Sequence, residues 1–495
     1  MPNMSSDIQE SVIVGPPDRI RCQVAIVGSG PGGSVAASLL AQAGRDVLLI
    51  EEGPYISQEE CRLYSSEEME RKYRNGGVSI ALGRPKVTFV EAKCVGGGSE
   101  VNAGLYYRTP PEILERWRRD FQVAELQEEQ LAQHFESIEK ALNVLDTSDD
   151  PNEAGDRLRL GAEKQGLSSL NSQASLRPTS IGPNGPLEGQ RASMTRTFLP
   201  EAFRHGTRLL AETRARSFKR ENGRWVVRCH HTPGDGPRRE IIIEADTLFL
   251  SCGAVQTPAL LRRSGIKRNV GNSLGMHATA KVTARFKDVV NLPGMGVPTH
   301  AVDEFAPRYY FTCASSSPGY LALEMLQYPE HFSAMHDQWP HMAVYSARIS
   351  GGVGSVRALP GFADPLVRFR LSDDDMHDLS EATRKLCSLL FAAGAEEAYP
   401  SLLLGQPLRS PADLDRIPMP LERSLTNLMT IHIFSSCPMG ENLDRCAVDS
   451  FGKVHGADSL YVSDASLLCT APTVNPQGSI MAVVRRNVLH HLGEL

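Results

Sequence analysis

Four apolar residues, Val24 to Val27, run straight into the glycine-rich turn Gly28–Ser–Gly30–Pro31–Gly–Gly33. A small-residue helix is expected from about Ser34 to Ala43, closed by Gly44. Asp46–Val–Leu–Leu–Ile–Glu51 then reads as a second buried strand. This is a strand–turn–helix–strand unit carrying G-x-G-x-x-G. Gly28 permits the tight turn, Gly30 lets a pyrophosphate approach the backbone, and Gly33 lets helix and strand pack closely. Phosphates are expected at the helix N-terminus, where free N–H groups and the dipole favour negative charge. Glu51 follows Gly33 by 18 residues, where a carboxylate can accept from a ribose 2′-hydroxyl and disfavour the 2′-phosphate of NADP. Gly28, Gly30, Pro31, Gly33 and Glu51 are therefore candidate cofactor-binding residues. A Gly-rich surface turn does not predict this order of elements, although the unit alone does not separate FAD from NAD.

The chain has 495 residues, enough for two or three domain-sized cores. Hydrophobic content is 41% and charged content 22%, ordinary for a soluble globular protein. A net charge of −6 does not suggest a nucleic-acid partner. There is no run of 18 apolar residues, so no membrane span is expected. Met1 to Arg21 is polar and lacks a basic segment followed by an apolar core, so it reads as a short tail and not a signal peptide. Ten cysteines are scattered with no C-x-x-C pair. That spacing fits neither a disulfide framework nor a metal site, and it points to a cytoplasmic protein with inert, buried thiols. His331, His336 and His341 recur every five residues, which fits neither one helix face nor one strand face, so no metal site is expected there.

A second glycine cluster, Gly96–Gly97–Gly98–Ser99 with Asn102 and Gly104, follows the strand-like Val87–Thr–Phe–Val. Three adjacent glycines suit backbone lying flat against a planar ligand better than a core helix. This segment, with Arg108 beyond it, resembles the first signature of the glucose–methanol–choline (GMC) flavoprotein oxidoreductases. The resemblance implies that Gly97, Gly98, Ser99 and Asn102 pass beside the isoalloxazine ring of FAD. Some members attach FAD covalently through a histidine just before the asparagine. This chain has Val101 there, which implies non-covalent FAD.

Charge-rich amphipathic patterns around Trp117, Phe121, Phe135 and Leu142 predict surface helices over residues 110 to 145. Asp146 to Gly189 reads as a long connection with one helix near Ala154 to Gln165. A plain loop is expected there in preference to a lid or dimer contact. Arg208–Ala215 and Arg224–Cys229 read as strands, with a turn at Glu221–Asn222–Gly223, and Glu240–Ala245 as another. Ala215 loosely matches a strand position at which the family contacts the adenine end of FAD. The block from Thr247 to Ile266 matches the family's second signature. In it Thr257 is expected to cap a helix that starts at Pro258 and is closed by Gly265. Gly271–Asn–Ser–Leu–Gly–Met–His277 continues the similarity loosely.

From 280 to about 430, aromatics and histidines are denser and short strand-like runs alternate with Pro and Gly turns. One helix, from about Asp373 to Ala393, starts at Ser372 with three aspartates in its first turn. This part resembles the family's substrate domain, an antiparallel sheet roofing the flavin. The fold class is thus α/β: a Rossmann-like FAD-binding domain over 20–285 and 430–495, and an antiparallel-sheet α+β substrate domain over 286–429. Insertions at 55–85 and 110–190 are expected to interrupt the first domain.

Residues 430–440 resemble the family segment that bears the catalytic histidine, here His432. Ser435–Ser436 stands where many members have Gly-Thr. Asp464 ends another strand, and the family uses that acid, with Ala465 beside it, near the ribityl and pyrophosphate groups. Asn475–Pro476–Gln477 opens the last helix, expected to run to about Leu492. Its N-terminus is expected to face the flavin pyrimidine edge, where exposed N–H groups stabilise negative charge. An alcohol C–H leaves as hydride only if a base takes the hydroxyl proton and an electron-poor acceptor faces the carbon. His432 is the candidate base. Asn475 matches the second member of the family's His/His or His/Asn pair and would orient the substrate oxygen.

The expected activity is FAD-dependent oxidation of a small-molecule alcohol, of the sugar-like or aminoglycoside type. Aromatic, aliphatic and sterol alcohols remain alternatives. Oxygen, a quinone or a redox protein would be the electron acceptor. Rival classes are non-redox lyases or light-driven decarboxylases of the same fold, and an NAD-dependent or non-catalytic nucleotide-binding protein.

Overall fold

The computed structural model describes residues 8, 10–61, 63–146, 152–171, 173–174, 176–182, 185–234, 236–291 and 300–495. Part of the expected N-terminal tail (1–7 and 9) and part of the 146–189 connection (147–151, 172, 175, 183 and 184) lie outside the described residues.

Strand β1 (Arg19–Val27) enters helix α1 (Pro31–Gln42) and returns as β2 (Val47–Ile50). The helix starts at Pro31, earlier than the expected Ser34. Proline at the first helical position is pre-organised, and its missing N–H is one the helix leaves unpaired anyway. Gly32 and Gly33 tolerate the first turn because neither position has room for a side chain. A Cβ on Gly32 would lie 1.9 Å from the Ser463 carbonyl oxygen, and one on Gly33 2.0 Å from that of Gly28. Gly44, at φ +73°, ends the helix, with Arg45 N–H bonded to Leu40 O and Gly44 N–H to Ala41 O.

The same sheet adds β3 (Arg208–Leu210), β4 (Thr213–Glu221), β5 (Arg224–His231) and β6 (Arg239–Leu250). The expected strand over 208–215 is two strands. The β4–β5 hairpin turns through Asn222 and Gly223, both at positive φ, as an Asn-Gly hairpin requires. Within this seven-stranded sheet the order β3-β2-β1-β6 is parallel, β5 and β4 continue it antiparallel, and Leu460–Val462 pairs in parallel with β6 as the seventh strand. Val27, Ile50 and Ser251, at or just past the carboxyl ends of β1, β2 and β6, open on one large cavity. Ligands of open α/β sheets bind at such an edge.

Helix α2 (Gly253–Arg263) begins five residues before the expected Pro258, so Thr257 and Pro258 lie inside it. Proline removes the N–H that would bond to the Ala254 carbonyl. That carbonyl instead accepts the Ser436 hydroxyl at 2.6 Å. Thr257 is not a cap; its hydroxyl accepts from Cys252 N–H and donates to Asp464.

The second sheet is built on β7 (Ala278–Phe286), β8 (Tyr309–Cys313) and β9 (Met342–Ile349). Helix α3 (Asp373–Ala392) carries the expected cap, with Ser372 and Asp375 bonded reciprocally. Strands β10 (Ala395–Pro400) and β11 (Leu428–Thr430) pair with β7. Ser79–Ala81 and Val87–Phe89 extend the sheet past β11, and Leu170–Asn171 joins its far edge. The sheet thus draws strands from outside 286–429, because a strand pairs with whatever open edge the tertiary fold offers. Its side chains alternate. Ala278, Ala280, Val282, Ala343, Tyr345 and Ala347 pack into an apolar core with Met376, Leu379, Leu386 and Leu390 of α3, and the intervening residues face the other way.

Last come β12 (Leu460–Val462), parallel to β6, and helix α4 (Gln477–Leu492). Trp117, Phe121, Phe135 and Leu142 are buried anchors of two helices, Pro111–Phe121 and Glu128–Leu142. The connection after Asp146 carries the expected helix, as Glu153–Lys164, and, where a plain loop is expected, a hairpin of Leu176–Gly182 with Gly185–Arg191.

Candidate active site

One cavity of about 740 Å³ runs between the two sheets, within the range of ligand sites. Gly28, Gly30, Pro31, Glu51 and Ala215 line it, together with Gly97, Gly98 and Asn102 and with Asp464, Ala465, His432, Asn475, Pro476 and Gln477.

Two chemically empty surfaces meet at its wall. Gly30 and Gly97 abut backbone to backbone: a Cβ on Gly97 would lie 2.7 Å from Gly30 Cα, and Gly97 has φ +55°. A Cβ on Gly98 would meet nothing within 4 Å. The N-terminus of α1 has no side-chain cap and no acidic residue in its first turn, and the same is true of α4. Both ends therefore present unpaired N–H groups to the same space. A diphosphate fits the first, and a ring that gains negative charge fits the second. A flat, side-chain-free wall lies between them. These residues fit FAD.

Glu51 accepts from Ser29 N–H at 3.0 Å, from the Ser29 hydroxyl at 2.7 Å and from Gly53 N–H at 2.9 Å. Burial raises its pKa. The Ser29 hydroxyl in turn accepts Gly96 N–H at 3.0 Å, which ties the two glycine turns together. Asp464 is equally committed. It accepts from Gly253 N–H (2.9 Å), from the Thr257 hydroxyl and from Ser466 N–H (2.8 Å), so it fastens the start of α2 at the cavity wall. Gly33 and Ser99 lie behind that wall. Gly33 serves close packing, and the Ser99 hydroxyl bonds Gly96 O at 2.8 Å and Met194 N–H at 3.0 Å. The Asn102 amide donates to Gln477 Oε1, joining the second glycine segment to the start of α4.

His432 is 6% exposed and sits where the segment after β11 runs beside residues 465–467. Ser435, Cys437 and Met439 N–H groups donate to the carbonyls of Ala465, Ser466 and Leu467. The Thr430 hydroxyl clasps both the N–H and the carbonyl of His432. His432 Nδ1 lies 3.0 Å from His277 Nδ1, so one ring donates and the other accepts. That leaves Nε2 as the His432 nitrogen available to the cavity. Burial, assisted by the charge of Arg348, pushes His277 down to about 3 and holds His432 well below its ordinary value. Both rings are therefore neutral near pH 7.

Asn475 Oδ1 lies 3.2 Å from Arg348 Nη1, which also donates to the Tyr310 hydroxyl at 3.2 Å. Arginine has no acceptor, so it fixes the amide with its oxygen toward Arg348 and its NH₂ free to donate.

The sequence motifs did not single out Arg348, Lys281 or Glu324, all of which line the cavity, nor did they assign a role to His277. Charged residues in an otherwise apolar strand pattern at 281 and 348 were the available signal. Arg191 was also missed. It is fully buried against Glu68 (2.6 Å) and donates to the carbonyls of Glu100 and Asn102, pinning the second glycine segment from behind.

Comparison with known proteins agrees with this architecture. The GMC oxidoreductase family models match residues 69–279 and 353–483, and that of an NAD(P)-binding Rossmann-like domain matches 26–67. An uncharacterised GMC-type oxidoreductase of Sinorhizobium fredii is 35% identical over 478 residues, covering 94% of each chain. The long-chain-alcohol oxidase FAO3 of Arabidopsis thaliana is 27% identical over 509 residues, covering 94% of this chain and 67% of the plant protein. The crystal structure of pyridoxine 4-oxidase from Mesorbium loti superposes with a TM-score of 0.70 at 18% identity, covering 95% of this chain and 99% of that one. With the dinucleotide cradle, the roofing sheet and these matches in agreement, the chain belongs to the GMC oxidoreductase family of FAD-dependent enzymes.

Proposed function

We propose that this protein oxidises a polar, sugar-like alcohol to an aldehyde or ketone, with His432 as general base and non-covalently held FAD. The observation that carries the reading is one cavity holding the dinucleotide cradle, a neutral histidine with its Nε2 free and an asparagine oriented to donate. The Arabidopsis relative, a long-chain-alcohol oxidase, supports alcohol oxidation.

The O–H proton goes to His432 Nε2 while the carbinol C–H bond breaks with its electron pair. FAD, when bound, supplies the electron-poor acceptor for that pair. Asn475 Nδ2 donates to the substrate oxygen as negative charge builds there. Arg348 and Lys281 lower the basicity of His432. Arg348, which holds Asn475, also stabilises the developing alkoxide, so the proton still transfers to a weak base. A polycationic aminoglycoside meets like charge at both residues, which favours the sugar-like alternative. Val101 carries no nucleophile, in keeping with dissociable flavin. Ten unpaired cysteines, nine of them buried, support a reducing, cytoplasmic setting, and no described helix is long and apolar enough to cross a membrane.

The test is an anaerobic flavin-bleaching screen over alcohols, followed by air. Bleaching in the dark supports alcohol oxidation over a lyase or light-driven decarboxylase, and recolouring in air identifies oxygen over a quinone or redox protein as acceptor. The His432→Ala variant should retain flavin yet lose about 10²–10⁴-fold in kcat/KM. Near-normal turnover in that variant removes His432 from the base role.

A further inference from the structure

The cavity-facing side of the second sheet is polar in two adjacent rows. Thr279 of β7 stands opposite Arg348 of β9, which stands opposite Tyr310 of β8. Lys281 stands opposite Ser346, which stands opposite Thr312. Directly opposed residues of antiparallel strands share a face. Arg348 and Lys281 line the cavity with His432 and Asn475.

Neither cation has a carboxylate against it among the described residues. The polar contacts of Arg348 are to neutral groups, Tyr310 and Asn475. Lys281 feels Glu324 only at a distance, and burial lowers its pKa to about 8. Beside it, the hydroxyls of Ser346 and Thr312 are buried without a hydrogen-bond partner among the described residues. Arg348 is buried and Lys281 half-buried; a cation held largely out of water with no carboxylate against it is costly, and unsatisfied buried hydroxyls are uncommon. The FAD diphosphate does not explain them, because its cradle at Gly28–Pro31 belongs to the other sheet. One cation beside Asn475 is enough for the developing alkoxide, which leaves Lys281 over. It lies two residues along the strand from the Arg348 row, about 7 Å away.

We propose that the alcohol substrate is compact and carries an anionic group, a carboxylate or a phosphate, which Lys281 grips while Arg348 and Asn475 hold the reacting end. This rests on the alcohol-oxidation reading above. A long alkyl chain places nothing at Lys281, and a neutral sugar leaves its charge unmatched.

The test uses the holoenzyme and matched compounds: 3-hydroxybutanoate against its methyl ester, and glycerol 3-phosphate against glycerol. Anaerobic flavin reduction gives kcat/KM. Titration of the flavin absorbance with butanoate or methyl phosphate, which carry no oxidisable alcohol, gives a Kd independent of turnover. One anionic compound should exceed its neutral partner at least tenfold, and whether it is the carboxylate or the phosphate identifies the group. Lys281→Met should lower kcat/KM for that compound at least tenfold more than for its partner and weaken binding of the inert anion to match. Lys281→Arg should retain the preference, which controls for folding. Equal rates for neutral and anionic alcohols, both indifferent to Lys281→Met, overturn this inference and leave alcohol oxidation standing. No bleaching by any alcohol, with anion binding still dependent on Lys281, overturns the chemistry and supports the anion site.

Discussion

Removing the His277 ring is expected to slow the reaction without emptying the cofactor site. The polar contact of the His277 ring among the described residues is His432 Nδ1, at 3.0 Å. Two neutral rings share one proton across that contact. With the proton on His432 Nδ1, His432 Nε2 carries the lone pair that a base needs. With it on His277 Nδ1, His432 carries its proton on Nε2 and cannot act. The His277 acceptor therefore stabilises the working tautomer of His432. Without it, a buried Nδ1–H is left unpaired, a penalty of about 1–3 kcal/mol. At 1.36 kcal/mol per decade, kcat/KM should fall roughly 5- to 150-fold, reaching at most the low end of the loss expected for His432→Ala. His277→Leu is the disruptive variant. His277→Asn places an amide near the old Nδ1 position and should recover most of the loss. The assay is anaerobic stopped-flow flavin reduction at matched flavin content from pH 6 to 9, with the alcohol that bleaches the native enzyme best. If the Leu variant stays within twofold of native, or the Asn variant is no better than Leu, His277 only packs and does not set the His432 tautomer.

The same residue links stability to pH. Burial depresses His277 from 6.5 to about 3, so the unfolded chain takes up a proton that the native state refuses. Its stabilising effect is whole above about pH 6.5 and is lost as pH falls toward 3, by ~2 kcal/mol at pH 5. Denaturant curves of His277→Asn should therefore be flatter between pH 7.5 and 5, and curves parallel to native would sink this. Ser436→Ala should destabilise by about 1–3 kcal/mol, because it strips the cap from the Ala254 carbonyl that Pro258 leaves free. Restoring the helix N–H with Pro258→Ala should make the Ser436 substitution nearly neutral in a double-mutant cycle, and additive effects would count against the capping role. Ser435 sits at φ +65° with its hydroxyl unpaired among the described residues, so Ser435→Gly should raise stability by about 1 kcal/mol, read as a higher Tm. Gly97→Ala forces a Cβ to 2.7 Å from Gly30 Cα at a positive φ and should yield folded protein with little flavin; a fully yellow variant would contradict the cradle.

The dinucleotide half was legible because its determinants are local. Val24–Val27 cannot be exposed, Gly28 needs φ +103°, and Gly33 has no room for a side chain. Those needs are met within a few residues of each other, so the string of residue types carries them. Helix α3 was legible for the same reason, through Ser372 and its acidic first turn. Helix α2 was placed late because Thr257–Pro258 is a good helix start in isolation. The carbonyl that Pro258 frees is capped from Ser436, which no local rule can anticipate. Just past the connection expected over Asp146–Gly189 stands Arg191, whose partner Glu68 is 123 residues away.

By itself, the sequence determined a dinucleotide cradle, a helix opening at Gln477, and His432 with Asn475 as the pair worth watching. Each follows from residue type, spacing or resemblance over a short span. Only the tertiary structure decided that His277 meets His432 across 155 residues, that Arg348 turns the Asn475 amide, and that Lys281 stands in the same cavity with no carboxylate directly against it among the described residues. Charge and proton position depend on what lies within a few ångströms, and in this fold those neighbours come from strands and segments distant in the chain.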